Sequence, residues 1–194
     1  MTRELTHTEK RLLLQIARDA IQRALQGEGR QRLDPKEYPP HLREIGACFV
    51  TLTRKGELRG CVGSIEASQP LVLDVRDRSL AAAFEDPRFP PLSPRELSEL
   101  EIEISILTPP ERLQYHDPAD LPGLLRPGVD GVILTYQFRR ATFLPQVWEK
   151  LPEPEVFLGR LCQKMGLEAG AWRHYLMEVE TYQVEMFTEG EVLS

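Results

Sequence analysis

The sequence predicts an α+β protein. Three observations point there. Several stretches place apolar residues at helical spacing and carry capping residues at their ends. Others alternate apolar and polar residues strictly, as half-buried strands do. Four of the strand-like stretches form two pairs joined by short turns, the connection that antiparallel neighbours use.

Taken in order, Thr6-His7-Thr8-Glu9 is a capping box, in which hydroxyl and carboxylate each satisfy an N–H left open by a first helical turn. The helix it opens carries Leu12, Leu13, Ile16, Ala17, Ala20, Ile21, Ala24 and Leu25 on one face and stops at Gly27. A polar stretch over 26–38 ends at Pro39-Pro40, ahead of a strand at Ala47–Leu52. Lys55-Gly56 is the tip of a hairpin returning through Leu58–Val62. Leu71–Phe84 is a second helix, entered through Ser68 and Pro70 and ended by Asp86-Pro87, since a residue before proline is pushed out of helical geometry. Ser93-Pro94-Arg95-Glu96 caps a short helix with proline at its first position. Leu100, Ile102, Ile104 and Ile106 alternate with Glu101, Glu103 and Ser105 as a half-buried strand. Gly131–Tyr136 and Ala141–Leu144 form a second hairpin around a basic turn, Phe138-Arg139-Arg140. Pro154–Met165 is an amphipathic helix with Leu158, Leu161, Cys162 and Met165 on its apolar face, capped by Gly166, and this spacing puts Cys162 in a core. Met177–Phe187 is a closing strand whose apolar phase shifts near Thr181-Tyr182, the mark of a bulge or an exchange of buried face.

Composition narrows the function classes. A length of 194 residues suits one domain, or one domain with two lobes, over 1–194. The net charge of −6 offers no cationic field for nucleic acid. Cysteine occurs at 48, 61 and 162, an odd count with no paired spacing, which suits a reducing cytoplasm better than a disulfide framework. The start, Met1-Thr2-Arg3-Glu4, leads into a polar helix, so no signal peptide is expected, and no apolar run approaches the roughly 20 residues that span a bilayer. The sequence holds none of the glycine-rich phosphate loops, nucleophile elbows or paired-histidine zinc motifs, and it names no cofactor. His7, His41, His116 and His174 are scattered, none at metal spacing with cysteine, so no metal site is expected.

Chemistry concentrates in Leu58-Arg59-Gly60-Cys61-Val62-Gly63. On a regular strand Arg59 and Cys61 share a face with Cα atoms roughly 7 Å apart, and a neighbouring guanidinium favours a thiolate. Gly60 and Gly63 let backbone N–H groups approach a ligand closely. The same residues also fit plain architecture, because cysteine is among the most buried residue types and glycine in a strand often marks a bulge. In Asp86-Pro87-Arg88-Phe89-Pro90-Pro91-Leu92 the prolines stiffen a loop that presents Arg88 to a carboxylate or phosphate, unless Asp86 and Arg88 pair with each other. Arg59, Cys61 and Arg88 are expected to converge on one site. Thr142 and Gln146 offer a hydroxyl and an amide at a strand exit, where binding groups often sit, although Gln146 also fits a purely structural role. Lys164 is expected on a solvated helix face.

Leu-Arg-Gly-Cys, followed by an aliphatic residue and glycine, resembles the signature of the AMMECR-one domain family. Further blocks resemble it in order: Asp86–Leu92, Glu103-Ile104-Ser105-Ile106-Leu107-Thr108-Pro109-Pro110, Thr142-Phe143-Leu144-Pro145-Gln146-Val147-Trp148, and Phe157–Leu167. The blocks lie between Gly46 and Trp172, and the flanking ends fit too. Val62 stands where isoleucine is frequent, a difference of one methylene. The resemblance implies an α+β fold with an antiparallel β-sheet flanked by α-helices, in two unequal lobes with a cleft between them, both termini in the larger lobe, and the Leu-Arg-Gly-Cys block lining the cleft. It implies an enzyme or enzyme component in which Cys61 and Arg59 act on a small anionic substrate, with Gly60, Gly63, Asp86, Arg88, Thr142 and Gln146 binding it. The alternative is a non-catalytic ligand- or protein-binding regulatory module. In prokaryotes the family is similar to a component associated with a Memo-like protein and a radical S-adenosylmethionine protein, which implies those as partners.

Overall fold

The computed structural model describes residues 4–30 and 32–193. Met1-Thr2-Arg3, Gln31 of the polar stretch after the first helix, and Ser194 lie outside the described residues. In chain order the elements are α1 (His7–Leu25), α2 (Pro40–Arg43), β1 (Ile45–Arg54), β2 (Glu57–Gly63), β3 (Gln69–Pro70), α3 (Leu71–Phe84), β4 (Leu100–Leu107) and β5 (Glu111–Arg112). They continue with α4 (Leu121–Leu124), β6 (Gly131–Tyr136), β7 (Arg139–Phe143), α5 (Pro154–Lys164), α6 (Ala171–His174), β8 (Glu178–Tyr182), β9 (Val184–Thr188) and α7 (Glu189–Val192). The fold is α+β, with antiparallel strands and flanking helices. It divides into two compact units, one formed by the chain through Leu107 and again from Glu185, the other by Thr108–Val184.

The first unit holds a five-stranded sheet in the order β2-β1-β4-β9, with β3 paired to the start of β1. Residues two apart on a strand share a face, so Cys48, Val50 and Leu52 lie in register with Ile106, Ile104 and Ile102 and form one apolar side. They share a core with Leu13, Leu14, Ile16, Ala17 and Ile21 of α1 and Val72, Val75, Ala82 and Ala83 of α3. Each fully buried aliphatic side chain of this kind contributes about 2 kcal/mol. The other side of the sheet carries Phe49, Thr51 and Thr53 opposite Ser105, Glu103 and Glu101. The capping box at Thr6 forms as the sequence predicts, with Glu9 Oε2 accepting from the Thr6 N–H at 2.8 Å and Thr6 Oγ1 accepting from the Glu9 N–H at 3.2 Å. Gly27 stops α1 with φ of 78°, the left-handed conformation that glycine adopts without strain.

The second unit is a four-stranded sheet in the order β5-β8-β6-β7 with α5 packed on it. Phe157 of α5 stacks on Trp148 at 3.7 Å between ring centroids, and Trp148 Nε1 donates to the Asp130 carbonyl at 2.7 Å. Cys162 is fully buried in this core.

Two details differ from the sequence reading. The predicted closing strand is two strands: β8 pairs with β6 and β9 lies beside β4, so the phase shift marks a strand that leaves one sheet for another at Gln183. The second hairpin turns at Gln137-Phe138, where Gln137 takes φ of 56°, and Arg139 and Arg140 already pair within β7. A positive φ is open to a polar residue in a tight turn, and this one leaves Phe138 86% exposed at the tip.

Candidate functional site

The Leu58–Gly63 segment lies on β2, the outermost strand of its sheet. Its pairing with β1 slips once, Leu58 opposing Thr53 and Gly60 opposing Leu52, which leaves Arg59 as the extra residue of a bulge. The bulge interrupts the alternation that would have given Arg59 and Cys61 a common face. Arg59 is 9% exposed and turns to a carboxylate absent from the sequence expectation. Its Nε donates to Glu96 Oε1 at 2.8 Å and its Nη2 to the Pro90 carbonyl at 2.9 Å. Glu96 is also the far end of the Ser93 capping box, so one carboxylate ties β2 to the following helical turn. The Arg59 guanidinium and the Ser93 donors hold the Glu96 carboxyl down to about 2, against the opposing effect of its burial.

The two glycines have packing roles. A Cβ on Gly60 would lie 2.1 Å from the Ala82 carbonyl oxygen of α3, and one on Gly63 would lie 2.3 Å from the Phe49 ring. Gly60 lets the helix approach the strand. Gly63 lets Phe49 lie across it.

Cys61 sits between them, paired with Thr51. Its N–H donates to Asp86 Oδ2 at 2.9 Å, and its carbonyl accepts from Arg88 Nη2 at 3.3 Å. Both backbone groups therefore turn away from β1, which makes Cys61–Thr51 a non-hydrogen-bonded pair, the narrower kind. Across that gap Thr51 Oγ1 donates to Cys61 Sγ at 3.3 Å. Asp86 is 4% exposed and also accepts from Arg88 Nε at 3.0 Å, Arg88 Nη2 at 2.7 Å and the Arg88 N–H at 3.1 Å. These bonds, the guanidinium's first, hold the Asp86 carboxyl far below the usual range despite burial. The Arg88 guanidinium is raised in turn, by Asp86 foremost and also by the side chain of Cys61. The internal ion pair thus forms, and it aims the guanidinium at Cys61. Arg88 remains 55% exposed. Phe89 lies between the arginines, its ring centroid 5.8 Å from Arg59 Cζ and 5.5 Å from Arg88 Cζ.

The other thiols are placed differently. Cys48 is fully buried and donates to Asp74 at 3.3 Å; burial, then that carboxylate, pushes it well above its ordinary value. Burial also pushes up the Cys162 thiol. Cys61 is the half-buried one.

Thr142 and Gln146 belong to the second unit. The Thr142 hydroxyl donates to the Val132 carbonyl at 2.9 Å and pairs with the Tyr182 hydroxyl, itself pushed up to about 12 by burial. Gln146 is half-buried in the 3-10 turn Pro145–Glu149. Lys164 is exposed on α5, as expected, and its Nζ donates to the Thr142 carbonyl at 2.9 Å and stands 5.1 Å from the Phe143 ring centroid, where partial burial lowers it. Among the described residues no group of three or more His, Cys, Asp or Glu side chains is placed to hold a metal ion. No helix of these residues is long and apolar enough to cross a membrane.

The carboxylates give the site an acid signature. A carboxylate lowered by folding adds stability that is complete above its unfolded value and is lost as pH falls through its folded value. For Glu96 that window runs from 4.5 down to about 2. Thermal melts in this range should show falling stability, and Glu96→Gln should flatten the profile; an unchanged profile would remove Glu96 from the account.

Comparison with known proteins gives a consistent result. A family model described as AMMECR1 matches residues 14–187. A protein of Methanothermobacter thermautotrophicus is 41% identical over 95% of this chain and 96% of its own length. One of Thermofilum pendens is 39% identical over 95% and 92%. The crystal structure of the uncharacterized protein PH0010 from Pyrococcus horikoshii is similar with a TM-score of 0.83 and 33% identity, over 94% of this chain and 92% of that one.

Proposed function

The chain belongs to the AMMECR1 family, and from there we propose that it is an enzyme or enzyme component in which Cys61 acts as nucleophile or thiol donor toward a small anionic substrate. The single observation that carries this reading is the Arg88 guanidinium, braced by Asp86 against the Cys61 backbone and still half in solvent. A guanidinium held at one edge and 55% exposed is suited to a carboxylate or phosphate arriving beside the thiol. Arg59, locked to Glu96, serves as a positioning residue that fixes the bulge before Cys61. Gly60 and Gly63 shape the backbone there. A reducing cytoplasm would keep the thiol available, and a Memo-like protein and a radical S-adenosylmethionine protein are the proposed partners. The internal satisfaction of Arg59 and Asp86 favours the second reading, a binding module without chemistry.

A pair of alkylating probes separates the two. Cys61 should react with iodoacetate and iodoacetamide while buried Cys48 and Cys162 stay unlabelled, as read by peptide mass spectrometry. Relative to free cysteine, Cys61 should prefer the anionic iodoacetate by about tenfold, the order of effect that charge steering gives at low salt, and Arg88→Gln should abolish the preference. A ratio equal to that of free cysteine would favour the binding module.

A further inference from the structure

The sheet register places a third group in line with Cys61 and Thr51. Thr51 of β1 pairs with Cys61 on one side and with Glu103 of β4 on the other, so the three residues form one cross-strand rung. Directly opposed residues project from the same face with Cβ atoms about 5 Å apart, within reach of a glutamate side chain. This face is the one opposite Cys48, Val50 and Leu52, so the rung lies away from the apolar side that packs on α1 and α3. A thiol, a hydroxyl and a carboxylate thus succeed one another across three strands, with the hydroxyl in the middle and already bonded to the sulfur at 3.3 Å.

We propose that Glu103 is the proton acceptor for Cys61, acting through the Thr51 hydroxyl. This rests on the reading of Cys61 as a nucleophile and adds to it the residue that activates the thiol. The hydroxyl donates to the sulfur in the structure; for the step it turns about its C–O bond, so that the Sγ–H proton passes to Thr51 Oγ1 while the hydroxyl's own proton passes to the Glu103 carboxylate. Thr51 ends as it began, Glu103 becomes a carboxylic acid, and the sulfur keeps the electron pair with which it attacks. With iodoacetamide as the electrophile, the new S–C bond forms as the C–I bond breaks and iodide leaves with its pair. Among the described residues, the other charged groups bonded to Cys61 come from the loop after α3, where Asp86 and Arg88 pair with each other. The Arg59–Glu96 pair lies one strand position beyond Gly60. Glu103 is the carboxylate that shares the rung with Thr51.

The test uses the neutral reagent, so that attraction of an anion plays no part. Rates of Cys61 alkylation by iodoacetamide are followed from about pH 6 to about pH 9 in the wild type and in Glu103→Gln, Thr51→Val and their combination. Both single variants should slow alkylation at neutral pH by about tenfold and move the profile to higher pH. The double variant should be no slower than either single one, the non-additivity expected of groups acting in series. Thr51→Ser, which keeps the hydroxyl, should retain the wild-type profile. Melting temperatures identify any variant that has lost its fold, and Thr51→Ser against Thr51→Val then carries the decision. An unmoved profile in Glu103→Gln, with Cys61 still preferring iodoacetate, would overturn the relay and leave the nucleophile reading standing. Loss of the iodoacetate preference in the wild type would instead overturn the reading beneath it.

Discussion

Gly60→Ala should unfold the first unit at a temperature roughly 10 °C below the wild type. The added Cβ would lie 2.1 Å from the carbonyl oxygen of Ala82 and 3.1 Å from its carbonyl carbon. Both atoms are backbone near the end of α3, so no rotamer change relieves the clash. Either the helix moves off the sheet or β2 moves away from β1. Each response opens the core around Ala82, Ala83 and Val75, and overpacking of this kind costs about 3 kcal/mol or more. Gly123→Ala is the matching control, because a Cβ there meets nothing within 4 Å and its helix gains a better helix former. Circular dichroism melts of the two variants should differ sharply. Equal melting temperatures would mean that α3 and β2 are not held at the distance described.

Asp86→Asn should be the most damaging of the isosteric changes at the site. The carboxylate accepts from the Cys61 N–H, the Arg88 N–H and two guanidinium nitrogens while 4% exposed. An amide keeps the shape but turns a donor toward some of these donors. Breaking a fully buried pair costs about 3–5 kcal/mol; Arg88 can recover water here, so about 2 kcal/mol is expected, a fall of roughly 4–8 °C. The pH dependence has a definite sign. Asp86 is lowered by folding, so its stabilisation is complete above its ordinary value of 3.8 and fades as pH drops through its folded value. The gap between wild type and Asp86→Asn should therefore be widest at neutral pH and close in strong acid. A gap that widens in acid would contradict the ion pair.

Much of the fold is legible because local signals agree with tertiary packing. The Thr6 box, the Lys55-Gly56 turn, the exit at Asp86-Pro87 and Gly166 each dictate backbone conformation within a few residues, and the apolar faces of α1 and α5 follow helical spacing. The site is less legible, and the bulge is the reason. Counting back from the Lys55-Gly56 turn pairs Thr51 with Gly60; one extra residue at Arg59 moves that pairing to Cys61. Gly60 was the hint, since glycine inside a strand often marks a bulge, but its position alone does not say which neighbour is extra. Glu96 was visible as part of a capping box, yet nothing local links it to Arg59, 37 residues away in the chain. Likewise the phase shift near Tyr182 signals a change of partner, while the identity of the new sheet depends on long-range packing.

The bonds that Asp86 and Arg88 make to Cys61 have a consequence for what the protein avoids. β2 is an outermost strand, and an outermost strand presents unpaired N–H and C=O groups that can recruit a strand from another molecule. At Cys61 both groups are already taken, the N–H by a carboxylate and the carbonyl by a guanidinium, as a neighbouring strand would take them. A side-chain pair two residues apart thus does the work of one rung of a missing strand. At high protein concentration, loss of this plug should show as edge-to-edge aggregation through β2 as well as lower melting temperature.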